Sequence, residues 1–162
     1  MWAVTQPLRT TRRPRPAYGA SMFHRILVGL DGSPRQPAVL AAAVALADRF
    51  GGKLHLVRAM QIPASIPAVA WSLQGDDFQK FLVEHGEKEL DQIIANLPDG
   101  LVAERTCELS QPADLLVRLA EKQDADAIVI GSHGYDRIDR ILGTTAGKVA
   151  NRAPCSVLVV RD

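Results

Sequence analysis

The sequence predicts an α/β fold: a single doubly wound, mostly parallel five-stranded sheet with helices on both faces. Three observations carry this. Short β-branched apolar runs recur five times between residues 26 and 160. Longer segments with helical spacing lie between them, so the chain alternates strand and helix as βαβ units do. Right-handed crossovers then cover the sheet on both faces. No internal repeat, low-complexity stretch or second domain interrupts the alternation.

Ile26-Leu27-Val28-Gly29-Leu30 reads as a buried strand ending at Asp31-Gly32. Residues 35–50 are alanine-rich, with Val39, Leu40, Val44 and Leu46 as bulk, and Gly51-Gly52 as the stop. Ser33-Pro34 looks like a cap followed by a first-turn proline, with Pro37 as a complication. A second strand spans Lys53 to Ala59. Residues 61–74, holding Pro63, Pro67 and Trp71, show no period and read as a long loop. A helix from about Asp76 to Asn96 has Phe78, Phe81, Leu82, Leu90, Ile93, Ile94 and Leu97 as its stripe. Pro98-Asp99-Gly100 turns into a third strand, Leu101 to Leu109. Ser110-Gln111-Pro112-Ala113-Asp114 opens a short helix, and Ala127-Ile128-Val129-Ile130 is a fourth, fully apolar strand. A helix near 144–152 and a last strand, Ser156 to Val160, complete the pattern.

Composition bounds the chemistry. The chain has 162 residues, enough for one ordinary domain, 47% of them hydrophobic and 23% charged. A net charge of +1 gives no whole-chain attraction to nucleic acid or an anionic membrane. Four of the 19 basic residues (Arg9, Arg12, Arg13, Arg15) fall in residues 1–20, which hold no acid. Residues 1–21 are expected to be a disordered basic extension outside the folded unit, 22–162. A sharper form of that expectation takes Met22 as the true start. Cys107 and Cys155 form no CxxC pair or disulfide framework. No apolar run nears the roughly 20 residues a membrane span needs. A cytoplasmic location is expected.

Function is expected beyond the carboxyl ends of the strands. Strand 1 ends in Asp31-Gly32-Ser33. Strand 4 ends in Gly131-Ser132-His133-Gly134, and Gly143-Thr144-Thr145 follows at a helix start. Glycines let backbone approach a ligand, and a helix start offers unpaired N–H groups with two hydroxyls beside them, which favours a phosphate. Taken singly, Asp31 suits a turn as well as a ligand, and Thr144 or Thr145 suits a helix cap. His133 has no Ser or Cys nucleophile at an elbow near it. His24, His55 and His85 lack metal-ligand spacing. Cys155 reads as a buried core thiol. Gly143 to Val149 echoes a P-loop, but three residues separate its glycines and Val149 replaces the magnesium-binding hydroxyl. No GxGxxG follows the first strand.

The opening Phe23-His24-Arg25-Ile26-Leu27-Val28-Gly29-Leu30-Asp31-Gly32-Ser33 resembles the start of universal stress proteins. The ending, from Gly131-Ser132-His133-Gly134 to Ala153-Pro154-Cys155-Ser156-Val157-Leu158-Val159-Val160, resembles their close. The resemblance covers about residues 22–162 and implies strand order 3-2-1-4-5, with a site between strands 1 and 4. The nucleotide-binding branch has Gly-x2-Gly-x9-Gly-[Ser/Thr]; here Gly131-x2-Gly134-x8-Gly143-Thr144 is one residue shorter. The resemblance implies that Asp31 faces adenosine and that Val57 meets adenine through its backbone. It also implies that Gly131 and Gly134 line ribose and phosphates, and that Gly143, Thr144 and Thr145 hold the phosphates of ATP, with Mg2+ as a companion. It further implies a homodimer paired through Ser156–Val160, which would otherwise leave an apolar edge exposed. The function so implied is a stress-response or regulatory protein with slow or no ATP hydrolysis. Two rivals stand beside it: a nucleotide-free dimeric interaction module, and a small enzyme using Asp31 and His133 on a phosphorylated substrate.

Overall fold

The computed structural model describes residues 22–62, 68–132 and 144–161, without the side chains of 68–76. Its elements are β1 (Arg25–Gly29), α1 (Gln36–Phe50), β2 (Lys53–Met60), α2 (Ala68–Ile94), β3 (Val102–Leu109), α3 (Pro112–Lys122), β4 (Ala127–Gly131), α4 (Thr144–Arg152) and β5 (Ser156–Val160). The five strands form one sheet in the order β3-β2-β1-β4-β5, and every neighbouring pair is parallel. The expected fold class and strand order are therefore both found.

Residue alternation on the strands explains the layering. Ile26, Val28, Leu54, Leu56 and Val129 point to one face and pack under α1 and α2 with Val39, Ala43, Ala47 and Leu90. Leu27, Val57, Ile128 and Ile130 point to the other and pack under α3 and α4 with Leu115, Leu116, Leu119, Ala146 and Val149. Successive side chains on a strand face opposite ways, so a strand covered on both faces must be apolar throughout. β1 and β4 are such strands. Each large side chain buried in this way contributes about 1.5–3 kcal/mol relative to leaving it in water.

Four details differ from the sequence reading. First, α1 is capped by Arg35 rather than Ser33, with no side-chain cap bond, and Pro37 lies in its first turn. A proline is tolerated there because the first N–H groups of a helix have no intrahelical partner. Second, α2 starts at Ala68, inside the stretch read as loop, because Ala68, Ala70, Leu73 and Gln74 are good helix formers regardless of period. Pro67 in the sequence suits a helix entry. Third, the ordinary helix stops at Ile94, and its end tightens: Asn96 and Leu97 donate to the carbonyls three residues back, of Ile93 and Ile94. Fourth, Cys155 is half-buried and Cys107 is the buried thiol.

Candidate functional site

Strand order reverses at β1. The chain runs outward through β2 and β3 on one side, then crosses to β4 and β5 on the other. Such a reversal leaves a crevice at the carboxyl ends of the two central strands, since the connections leave in opposite directions. Here the register shows where the central ladder ends. β1 and β4 are paired from Ile26↔Ala127 through Val28↔Val129 and no further, while β4 continues beside β5 as far as Gly131↔Val160.

Asp31 stands on the β1 side of this crevice and is exposed. Its Oδ1 accepts the N–H of Ser33 at 2.9 Å, the short polar turn that aspartate favours after a strand. Gly32 has φ +74°, a left-handed conformation that costs glycine little, and its N–H donates to Gln36 Oε1 at 2.9 Å. The carboxylate thus stabilises the turn, and it stands exposed at the lip of the sheet. Val57 lies opposite Gly29 at the end of the shared β1–β2 ladder. Its side chain is buried, and its carbonyl accepts the N–H of Leu30 at 2.9 Å.

Gly131 ends β4, half-buried. A Cβ built on it would lie 3.3 Å from Val39 Cγ2, so even an alanine there presses on α1. Thr144, exposed, and Thr145, half-buried, open α4 on the return from β4 to β5. Gly134 and Gly143, with His133, lie outside the described residues. The structure therefore brings Asp31, Val57 and Gly131 to one edge of the sheet. Among the described residues no group of three or more His, Cys, Asp or Glu side chains is placed to hold a metal ion.

Two arginines at this edge were missed from sequence. Arg58 follows Val57 directly, and a Cβ on Gly32 would meet its Nη2 at 2.8 Å. Its Nη2 also pairs with Glu89 Oε2 of α2 at 2.7 Å, with only 13% of the Arg58 side chain exposed. Arg58 Nε is buried with no hydrogen-bond partner among the described residues. Arg35 reaches across the crevice, its Nη1 donating to the carbonyl of Ser132. Arg58 lies within β2, two residues before its end at Met60, so its charge marks no strand end in sequence. Nothing in sequence reports what either guanidinium touches.

A doubly wound parallel domain with its crevice at the β1–β4 reversal defines the class of protein. The family follows from the sequence as a whole. The model of the universal stress protein family matches residues 22–161, and the chain belongs to that family. Universal stress protein A homolog 2 of Coxiella burnetii is 30% identical over 142 residues, covering 86% of this chain and 95% of that protein. Among solved structures, universal stress protein UspA from Lactobacillus plantarum superposes with a TM-score of 0.68 at 24% identity, over 86% of this chain and 99% of that one. A universal stress protein in complex with cAMP gives 0.58 at 24% identity, over 87% and 99%. The Archaeoglobus fulgidus protein in complex with dAMP gives 0.51 at 23% identity, over 86% and 99%.

Proposed function

We propose that this chain is a nucleotide-binding stress-response or regulatory protein that takes an adenine nucleotide, ATP foremost with Mg2+, into the crevice between β1 and β4. The observation that carries the reading is the crevice itself. The ladder of the two central strands ends at Val28↔Val129, with a carboxylate beyond it on one side and a glycine on the other. In this reading Asp31 faces the adenosine moiety, and the base is met by backbone at Val57, where β2 runs on past β1. Gly131 and Gly134 line ribose and phosphates, and Gly143, Thr144 and Thr145 hold the phosphates, using the amide groups and dipole of a helix start. The cAMP and dAMP complexes of family members support an adenine nucleotide as the ligand class.

Hydrolysis is slow or absent in this reading, and the protein acts in the cytoplasm as a homodimer paired through β5. The helices of the described residues include none long and apolar enough to cross a membrane. The loop between Gly134 and Gly143, one residue shorter than the usual motif, favours one rival: an interaction module of the same fold that admits no nucleotide. The test is to purify the full chain without added nucleotide, denature it, and identify any released small molecule by chromatography and mass. Near-stoichiometric ATP or ADP is the expected result. An empty protein that also gives no heat on titration with Mg-ATP would leave the interaction module as the better account.

A further inference from the structure

Arg35 crosses the crevice from an anchored backbone. It precedes α1 with φ −84° and ψ −13°, and its carbonyl accepts the N–H groups of Ala38 and Val39 at 3.0 and 3.1 Å. From that fixed point the side chain spans to the far lip and donates from Nη1 to the Ser132 carbonyl. Ser132 is the first residue beyond β4, and its own N–H donates to the carbonyl of Val160 at 2.9 Å. Both backbone groups of Ser132 are thus held, one by β5 and the other by the connection between β1 and α1.

This contact falls where the sheet no longer does the work. The β1–β4 ladder stops at Val28↔Val129, so beyond it the two lips are not joined by paired backbone. A charged donor on a buried-edge carbonyl is stronger than a neutral backbone bond. It also places a permanent positive charge beside the residue from which the Gly-rich segment departs. We propose that Arg35 is a positioning residue: by clasping Ser132 it fixes the spacing of the two lips and, through it, the affinity for the phosphate end of the nucleotide. The proposal rests on the nucleotide reading given above. Arg35 need not touch the ligand. A pre-set spacing spares the bound state the ordering that a loose lip would require.

The test uses the full chain, as wild type, Arg35→Met and Arg35→Lys, titrated calorimetrically with Mg-ATP and separately with adenosine. Methionine keeps an unbranched apolar stem and removes the donor and the charge. The expected result is about a tenfold or larger loss of ATP affinity in Arg35→Met, adenosine affinity within about twofold of wild type, and partial recovery in Arg35→Lys. Equal losses for ATP and adenosine, or no loss for ATP, would overturn the proposal. Hydrogen exchange of the Ser132 amide in nucleotide-free protein supplies a second readout. Faster exchange in Arg35→Met, with the β1 amides unchanged, is expected. Unchanged Ser132 exchange would overturn the clasp itself. Wild-type protein that binds no ATP would bring down the nucleotide reading and this role with it. The exchange result would still say whether the two lips are clasped.

Discussion

Gly86, buried in α2, is tightly surrounded outside the crevice. A Cβ there would lie 2.5 Å from Cys107 Sγ and 2.8 Å from Met60 Sδ. Glycine inside a helix ordinarily costs about 1 kcal/mol relative to alanine. Here that cost is outweighed, because α2 approaches β2 and β3 closely enough that two sulfur atoms fill the space of a side chain. Gly86→Val is expected to destabilise by about 1–3 kcal/mol, the usual penalty of overpacking, in denaturant unfolding. Equal or greater stability would mean that α2 can lift off the sheet at no cost.

Cys107 shares this environment. Burial pushes its thiol above the ordinary value of 9.0, and the nearby Glu87 carboxylate adds to that shift. The folded state therefore keeps its proton to higher pH than the unfolded chain does. The contribution to stability is complete below about pH 9 and is lost as pH rises through the folded value. Cys107→Ala should flatten the alkaline limb of the stability profile. In the native protein at pH 8 a maleimide should label Cys155 well before Cys107. Arg58 makes a third case. With Glu89 37% exposed, the pair is partly screened, so Arg58→Met is expected to cost only about 1 kcal/mol in unfolding free energy. It should also loosen the Asp31-Gly32 turn, seen as faster exchange of the Ser33 amide.

At the scale of elements, strands were more legible than helix ends. β1 and β4 announce themselves because burial on both faces demands apolar side chains at nearly every position, and β5 because it is equally apolar although it lies half-buried at the edge. The start of α2 did not, because Ala68 to Gln74 lacks the apolar stripe by which amphipathic helices are recognised, even though its residues favour helix. Capping at α1 was misplaced for a related reason. Two prolines stand four residues from Ser33 or nearer, and only the backbone decides that Pro37 is the one inside the first turn. β5 carries the testable consequence at this scale. Leu158 is 41% exposed at the edge of the sheet, with no strand beyond it among the described residues. Leu158→Lys should leave the fold intact, because little burial is lost, and should shift a homodimer to monomer in light scattering. A variant that stays dimeric would place the interface elsewhere.

For the molecule as a whole, the alternation of strands and helices made a parallel layered sheet legible, and the family resemblance supplied the strand order that puts the reversal, and with it the crevice, at β1. The residues closing that crevice were hidden. Arg35 and Ser132 are separated by 97 positions, and neither belongs to a pattern that spacing reveals. His55 shows the same limit on the opposite side of the sheet. It is buried with Nδ1 against Gln123 Oε1 at 2.7 Å and Nε2 against Thr106 Oγ1 at 2.8 Å, a satisfied core histidine rather than a ligand. His55→Leu removes both bonds and strands Thr106 and Gln123, so a loss of about 1–3 kcal/mol is expected in thermal unfolding.

The two borders of the sheet are unlike each other. The β3 border carries Glu104, Arg105 and Glu108 among its side chains, with Ala103 and Glu104 exposed. The β5 border carries Val157, Leu158, Val159 and Val160. Charged side chains discourage strand addition, and apolar ones invite it. A sheet with two inviting borders is an open-ended unit that adds copies indefinitely, whereas one with a single inviting border is used up by its first self-pairing about a two-fold axis. If β5 pairs as proposed, the charged border is a chain terminator: pairing through β5 ends in a dimer and does not continue into fibres.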